Sequence, residues 1–242
     1  MNLEGRILNV RPDPIDPRDH DFAATPHAIL RAELPHSVDF TGRVGPIVDQ
    51  GETGSCVGQA CAALCYWLWH KTFSARWIWM GAKEIDAWTP SCFSELAGTG
   101  IRDAFKVLRK YGACTDDLWP LSQQLPRSDR EQVILDDAEA HRIGRWWRLK
   151  DAEARKRHLA QHGPCVIAVP VYENWSDIGE DGIVPHPYGA ELGGHAILEV
   201  GYIPGFEIAK NSWGMESGRN GYLWLPDGYP IWDALGTAAP EV

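Results

Sequence analysis

The run CVGQACAALCYWLWHK, beginning at Cys56, is apolar almost throughout and rich in Ala, Leu and Trp, which predicts a helix buried on most of its faces. Two further helical patterns follow, ARWIWMGAKEIDAW over 75–88 and IRDAFKVLRKYG over 101–112, the second closing on Gly112 as a helix C-terminus does. Beyond residue 141 the texture changes. GRWWRL, CVIAVPV, HAILEVGYI, FEIAKNSW and GYLWL are short β-type runs punctuated by Gly and Pro. One helix interrupts them, DAEARKRHLAQH over 151–162, stopped by Gly163-Pro164. The pattern predicts an α+β chain, mainly helical first and mainly β second, with no internal repeat. The polar stretch SQQLPRSDREQVILDDAEA, 122–140, is the expected crossing between the halves. Residues 1–33 carry Pro12, Pro14, Pro17 and Pro26 among mixed charges and are expected to form an extended N-terminal segment.

A chain of 242 residues and 27.0 kDa holds one large domain or two lobes sharing a cleft. With 33 acidic against 23 basic residues and a net charge of -10, it is a poor partner for nucleic acid. No apolar stretch of about 18 residues and no N-terminal h-region occurs, so neither a membrane span nor a signal peptide is expected, and the expected location is cytoplasmic. On that reading the six cysteines are expected to be reduced thiols. Cys56, Cys61 and Cys65 are spaced so that they do not share one helical face, so no metal site is expected there. No cofactor is expected either.

Cys56 stands where the helical run starts, after Gly54 and Ser55. A helix N-terminus offers free N–H groups and partial positive charge to a sulfur, which favours its thiolate, and Ser55 is placed to cap. Taken singly, the candidate residues have plainer roles: Cys56 a buried thiol, His195 a core imidazole on a strand, Asn211 a turn residue. Their motifs taken together point elsewhere.

QGETGSC (Gln50 to Cys56) with the following VGQA, LPHSVDF upstream, GPCVIAVPV, GGHAILEVGY around His195, and AKNSWG around Asn211 resemble the papain family of cysteine peptidases, in the same order, over roughly 34–242. The resemblance implies a two-lobed papain-like fold with the active site in the cleft, an α lobe over about 51–125 and a β lobe over about 126–242. It implies Cys56 as nucleophile, His195 as proton-transfer partner, Asn211 as orienter and Gln50 as oxyanion donor beside the Cys56 backbone N–H, with an imidazolium–thiolate resting pair. Trp213 corresponds to the indole that covers the Asn–His bond. Gly98 and Thr99 correspond to the two glycines that pair with substrate main chain. Ala168, Gly193, Gly194 and Ala196, with Ile101 near the mouth, correspond to an apolar subsite.

Departures are Thr53, where secreted members carry a bridging Cys, Val57 in place of the Trp after the nucleophile, and Ser217 in place of a second Trp after NSWG. The other Trp-rich patches, Trp67/Trp69, Trp77/Trp79 and Trp146/Trp147, are expected to serve packing. The implied activity is a cysteine endopeptidase acting on polypeptides. A catalytically silent peptide binder, and a transferase or ligase in which an amine resolves the thioester, stay open. The family also implies that residues 1–33 lie on the cleft and lower activity.

Overall fold

The computed structural model describes residues 1–25, 33–86, 88, 94–126 and 128–238. Its elements are β1 (Val38–Asp39), α1 (Cys56–Trp69), α2 (Ala75–Ile85), α3 (Ile101–Lys110), α4 (Glu131–Ala140), β2 (Trp146–Arg148), α5 (Ala152–His162), β3 (Cys165–Tyr172), β4 (Glu191–Ile203), β5 (Phe206–Lys210), β6 (Tyr222–Pro226) and β7 (Asp233–Thr237). The strands form one antiparallel sheet in the order β2-β7-β3-β4-β5-β6, with β1 added to the C-terminal part of β4. The observed architecture is a helical half packed on a β half, and it is the fold class that the sequence predicts.

Local chemistry sets most boundaries. In α2, Ser74 caps by accepting from the Trp77 N–H at 2.9 Å, and in α5 Asp151 accepts from the Ala154 N–H at 2.8 Å. The chain after α5 turns at Gly163, whose φ of 101° excludes most side chains, as the Gly-Pro stop predicts. Helix α2 ends three residues earlier than its pattern suggests. Asp86 leaves the helix and becomes an acceptor for Lys83 Nζ at 2.9 Å, the Trp88 N–H at 3.0 Å and Thr99 Oγ1. The segment expected as a crossing contains α4, whose Ile134 and Ala138 pack with Trp79, Met80, Cys114 and Trp119 of the helical half; after α4 the chain returns to the sheet at Trp146. Strand β7, DALGT, has no alternation to reveal it because it is buried at every position between β2 and β3.

Strand alternation divides the core. Val166 and Ala168 of β3, with Ala196 and Leu198 of β4, face α1 and α3 in one cluster that also holds Cys56 and Ala60. Ile167, Val169 and Ile197 point to the opposite face and meet Trp175, Trp213 and Leu223. Gly58 sits so close to the Ala75 carbonyl that a Cβ would collide with it, which lets α1 and α2 touch. Among the described residues no helix is long and apolar enough to cross a membrane. The five described cysteines, Cys56, Cys61, Cys65, Cys114 and Cys165, are free and buried; Cys92 lies outside the described residues.

Candidate active site

Cys56 is the first residue of α1 and is 1% exposed. Its sulfur lies within hydrogen-bonding reach of the backbone N–H groups of Ala196, Val57 and Cys56 itself, so the helix N-terminus and strand β4 meet at the thiol. Gly54 is required there because a Cβ would overlap the Ala97 carbonyl. Ser55 does not cap: its hydroxyl pairs with Thr53 Oγ1 at 2.7 Å, inside the loop. The first-turn N–H groups therefore stay available to the sulfur.

His195, on β4, places Nε2 2.8 Å from Asn211 Oδ1, and its Nδ1 is buried with no hydrogen-bond partner in the protein. The imidazole lies 4.4 Å from the Trp213 ring at 31° between planes, so an indole covers the His–Asn bond and keeps water from it. The Asn211 amide is fixed from two sides. Its Oδ1 also accepts the Ser212 N–H at 2.8 Å, and its Nδ2 donates to Ser217 Oγ at 2.9 Å. Gln50 is buried too: its Oε1 accepts from Ser212 Oγ at 2.7 Å and its Nε2 donates to the Thr53 carbonyl at 2.8 Å. One Gln50 amide N–H is left over for another acceptor. Ser212 thus ties the oxyanion-donor candidate to the His195 orienter.

Residues 1–25 run across this constellation. The Met1 ammonium donates to the Ser176 and Ile178 carbonyls, Arg6 pairs with Asp49 at 2.5 Å and lies over the Trp213 ring, and the Val10 N–H donates to the Gly194 carbonyl at 3.2 Å. Opposite, Asn9 donates to the Leu96 carbonyl at 2.6 Å and its own carbonyl abuts Gly98. At Gly98, Gly193, Gly194 and Gly100 a Cβ would collide with this segment, namely with Asn9, Leu8, Val10 and Asp13. Val10 is 3% exposed and belongs to the cluster that holds Ile101, Ala168 and Ala196.

Of the residues singled out from sequence, the structure therefore gathers Gln50, His195, Asn211 and Trp213 into one bonded or stacked group, and brings Cys56 beside Ala196. Thr99 is buried, and its hydroxyl donates to Asp86 at 2.5 Å. Sequence reasoning passed over Ser212, Trp175 and the Arg6–Asp49 pair, and treated Ser217 only as a missing Trp. Trp175 stands edge-on to His195 at 6.4 Å, held by Tyr229. Nothing in the local pattern around Ser212 or Trp175 marks them, since their partners are distant in sequence.

Burial sets the charge state of the pair. It pushes the Cys56 thiol up to about 11, against the backbone N–H groups that pull it down, and it lowers His195 to about 4, with Arg6 adding to the effect and Asn211 opposing it. Burial thus favours the thiol over the thiolate and the neutral imidazole over the imidazolium. A pocket of about 310 Å³ lies beside the site between α1 and β4–β5, lined by Gln59, Ala63, Tyr66, Lys210, Asn211 and Ser212 among others.

A thiol at a helix N-terminus, an imidazole held by an amide under an indole, and a buried amide donor beside them define the class: thiol hydrolases that work through an acyl-sulfur intermediate. The profile described as "Papain family cysteine protease" matches residues 34–230, and the chain belongs to that family. A peptidase C1-like protein of Acanthamoeba polyphaga mimivirus is 30% identical over 204 residues, covering 75% of this chain and 64% of the viral protein. A cathepsin B-like protein of Giardia intestinalis is 28% identical over 87% of this chain and 75% of its own length. Among solved structures, xylellain, a cysteine protease from Xylella fastidiosa, superposes with a TM-score of 0.83 at 26% identity, over 100% of this chain and 99% of its own. Procathepsin B S9 of Trypanosoma congolense shares the fold at a TM-score of 0.77 and 19% identity, over 98% of this chain and 88% of its own.

Proposed function

We propose that the chain is a cysteine endopeptidase in which Cys56 attacks the scissile carbonyl and residues 1–25 hold the enzyme in check. The observation that carries this reading is the free Nδ1 of a histidine whose Nε2 is held by Asn211. In the first step Cys56 Sγ bonds to the carbonyl carbon and its proton passes to His195 Nδ1. His195 then protonates the leaving amine, so the peptide C–N bond breaks and a thioester remains. Water, deprotonated by His195, resolves the thioester and returns the thiol. The spare Gln50 amide N–H and the Cys56 backbone N–H are the donors for the tetrahedral oxyanion. The test is labelling by a thiol-reactive peptide epoxide, together with mass spectrometry of cleaved peptide in the presence of a competing amine. Labelling at Cys56 with free-acid products supports hydrolysis. No labelling favours a silent binder, and amide products favour transfer.

Gln50→Ala is expected to lower kcat on the order of 10²-fold while leaving KM little changed, because the Cys56 N–H remains as a second donor. An unchanged kcat removes Gln50 from the mechanism.

Docking of the segment carries two opposed pH dependences. Asp13, buried and beside Asp233, has its carboxyl raised from 3.8 to about 6, so the docked state binds a proton that the free segment does not between those values. That contribution strengthens docking as pH falls through about 6 and is lost above it. His195 acts the other way, since a docked value of about 4 against an ordinary 6.5 means docking expels a proton there and weakens as pH falls. Asp13→Asn separates the two: it is expected to tighten the segment at pH 7, lowering full-chain activity by at most on the order of 10²-fold. The gap to wild type should close near pH 4. Activity above wild type at pH 7 would show that Asp13 stabilises docking as a carboxylate.

A further inference from the structure

The N-terminal segment holds itself to the body through acidic side chains, and their partners stay behind when it leaves. Asp19 accepts from Arg102 Nη2 at 2.6 Å and Nε at 3.2 Å, and from Arg148 Nε at 2.7 Å, with every side chain in the group 15% exposed or less. Asp13 accepts from the Arg102 backbone N–H at 3.2 Å and from Arg148 Nη2 at 3.3 Å. On the body, the arginines have one carboxylate of their own in this group, Asp233, which pairs with Arg148 Nη1. With the segment docked the group counts three carboxylates and two guanidinium ions. Without it, Asp233 stays paired with Arg148 and Arg102 loses Asp19.

The place of this recess along the cleft follows from the order of the segment. Arg6 lies over Trp213, next to His195; Val10 sits among Ala168, Ala196 and Ile101; Asp13 then reaches Gly100 and Asp233. Asp233 is the register partner of Ala168, so the guanidinium pair borders the pocket filled by Val10, on the side away from the scissile-bond position. Withdrawal of the segment opens the two guanidinium ions to water and takes Asp19 and Asp13 from them, and a carboxylate that reaches them regains charge-assisted hydrogen bonds.

We propose that the recess between Arg102 and Arg148 is an acidic-residue subsite, so that the enzyme prefers polypeptides carrying Asp or Glu a few residues beyond an apolar residue, on the side away from the cleaved bond. Asp19 occupies it as the chain's own stand-in for a substrate carboxylate, with Asp13 beside it. Of the two, Asp19 marks the better position, because the forked Arg102 contact and the Arg148 contact converge on it, whereas Asp13 lies against Asp233. The inference rests on the peptidase reading for its role in turnover, and on the arginine geometry alone for binding.

The test uses the full chain and paired fluorogenic peptides with Val for the apolar pocket and Glu or Gln at the second, third or fourth position beyond it. Occupancy of the cleft by the segment scales both peptides equally and cancels in the ratio of kcat/KM. Wild type is expected to favour Glu about tenfold at its best position. Arg148→Gln and Arg102→Gln are each expected to bring the ratio near one while the Gln peptide is still cleaved. A wild-type ratio of one at all three positions overturns the subsite, and needs no variant to be stable. The same peptides titrated by fluorescence anisotropy against full-length Cys56→Ala protein separate the two readings. Preferential binding of the Glu peptide without any cleavage by wild type keeps the recess and sinks the peptidase reading. Cleavage without Glu preference keeps the peptidase and sinks the recess, and equal or absent binding of both peptides, with no cleavage, sinks the recess too.

Discussion

Cys56→Ala protein is expected to show no peptide hydrolysis above background, a loss on the order of 10⁵–10⁶ in kcat, and His195→Ala the same loss. The reason is that sulfur and imidazole act as one unit. Without His195 Nδ1 the thiol proton has nowhere to go, and without the sulfur the imidazole has nothing to activate. The double variant is therefore expected to be no worse than either single one. Cys56 is fully enclosed, and Ala replaces its thiol with a smaller apolar group that leaves α1 intact, so Tm should move by only a few degrees. His195→Ala empties a space between Trp213 and Trp175 and should cost more stability. The measurement is burst-free progress curves on one peptide, with circular dichroism to show that each variant is folded. Residual turnover within 100-fold of wild type for Cys56→Ala would remove the thioester from the mechanism.

The site was legible where chemistry sits in contiguous motifs. Gln50, Cys56, His195 and Asn211 each lie in a short run whose residue types constrain one another, and the helix starting at Cys56 follows from an apolar run with a tight glycine before it. What was not legible depends on long-range partners. Ser217 reads as a lost Trp, yet its hydroxyl accepts from the Asn211 amide, a role that only the fold of the loop reveals. Thr99 reads only as a substitute for a glycine, yet its hydroxyl donates to Asp86, which the early end of α2 makes available. Strand β7 has no period-two pattern because neither of its faces meets water.

Withdrawal of the N-terminal segment is expected to raise kcat/KM on the order of 10²–10³-fold. Two contacts dominate that figure. Burying Val10 in the pocket with Ala168 and Ala196 is worth about 1.5–3 kcal/mol, and the charge-assisted bonds of Asp19 to Arg102 and Arg148 add about as much before the ordering of the chain is subtracted. Prolines at 12, 14 and 17 lower the entropy lost on docking, and the covalent link keeps the segment at millimolar effective concentration. At 1.4 kcal/mol per decade, a net 3–4 kcal/mol gives the stated range. The comparison is between the intact chain, a chain starting at Leu34, and an intact chain carrying Val10→Asp, which places a carboxylate in the apolar pocket and keeps the tether. A second reading comes from the thiol. With the segment docked, the Cys56 pKa of about 11 keeps the sulfur protonated and slow to alkylate through neutral pH. Once water and the His195 proton reach it, the thiolate should form at much lower pH, so iodoacetamide should react with the shortened chain near neutrality and with the intact chain only toward pH 11. Equal kcat/KM in all three proteins, each folded, together with superimposable alkylation profiles, would show that the segment lies on the cleft without governing it.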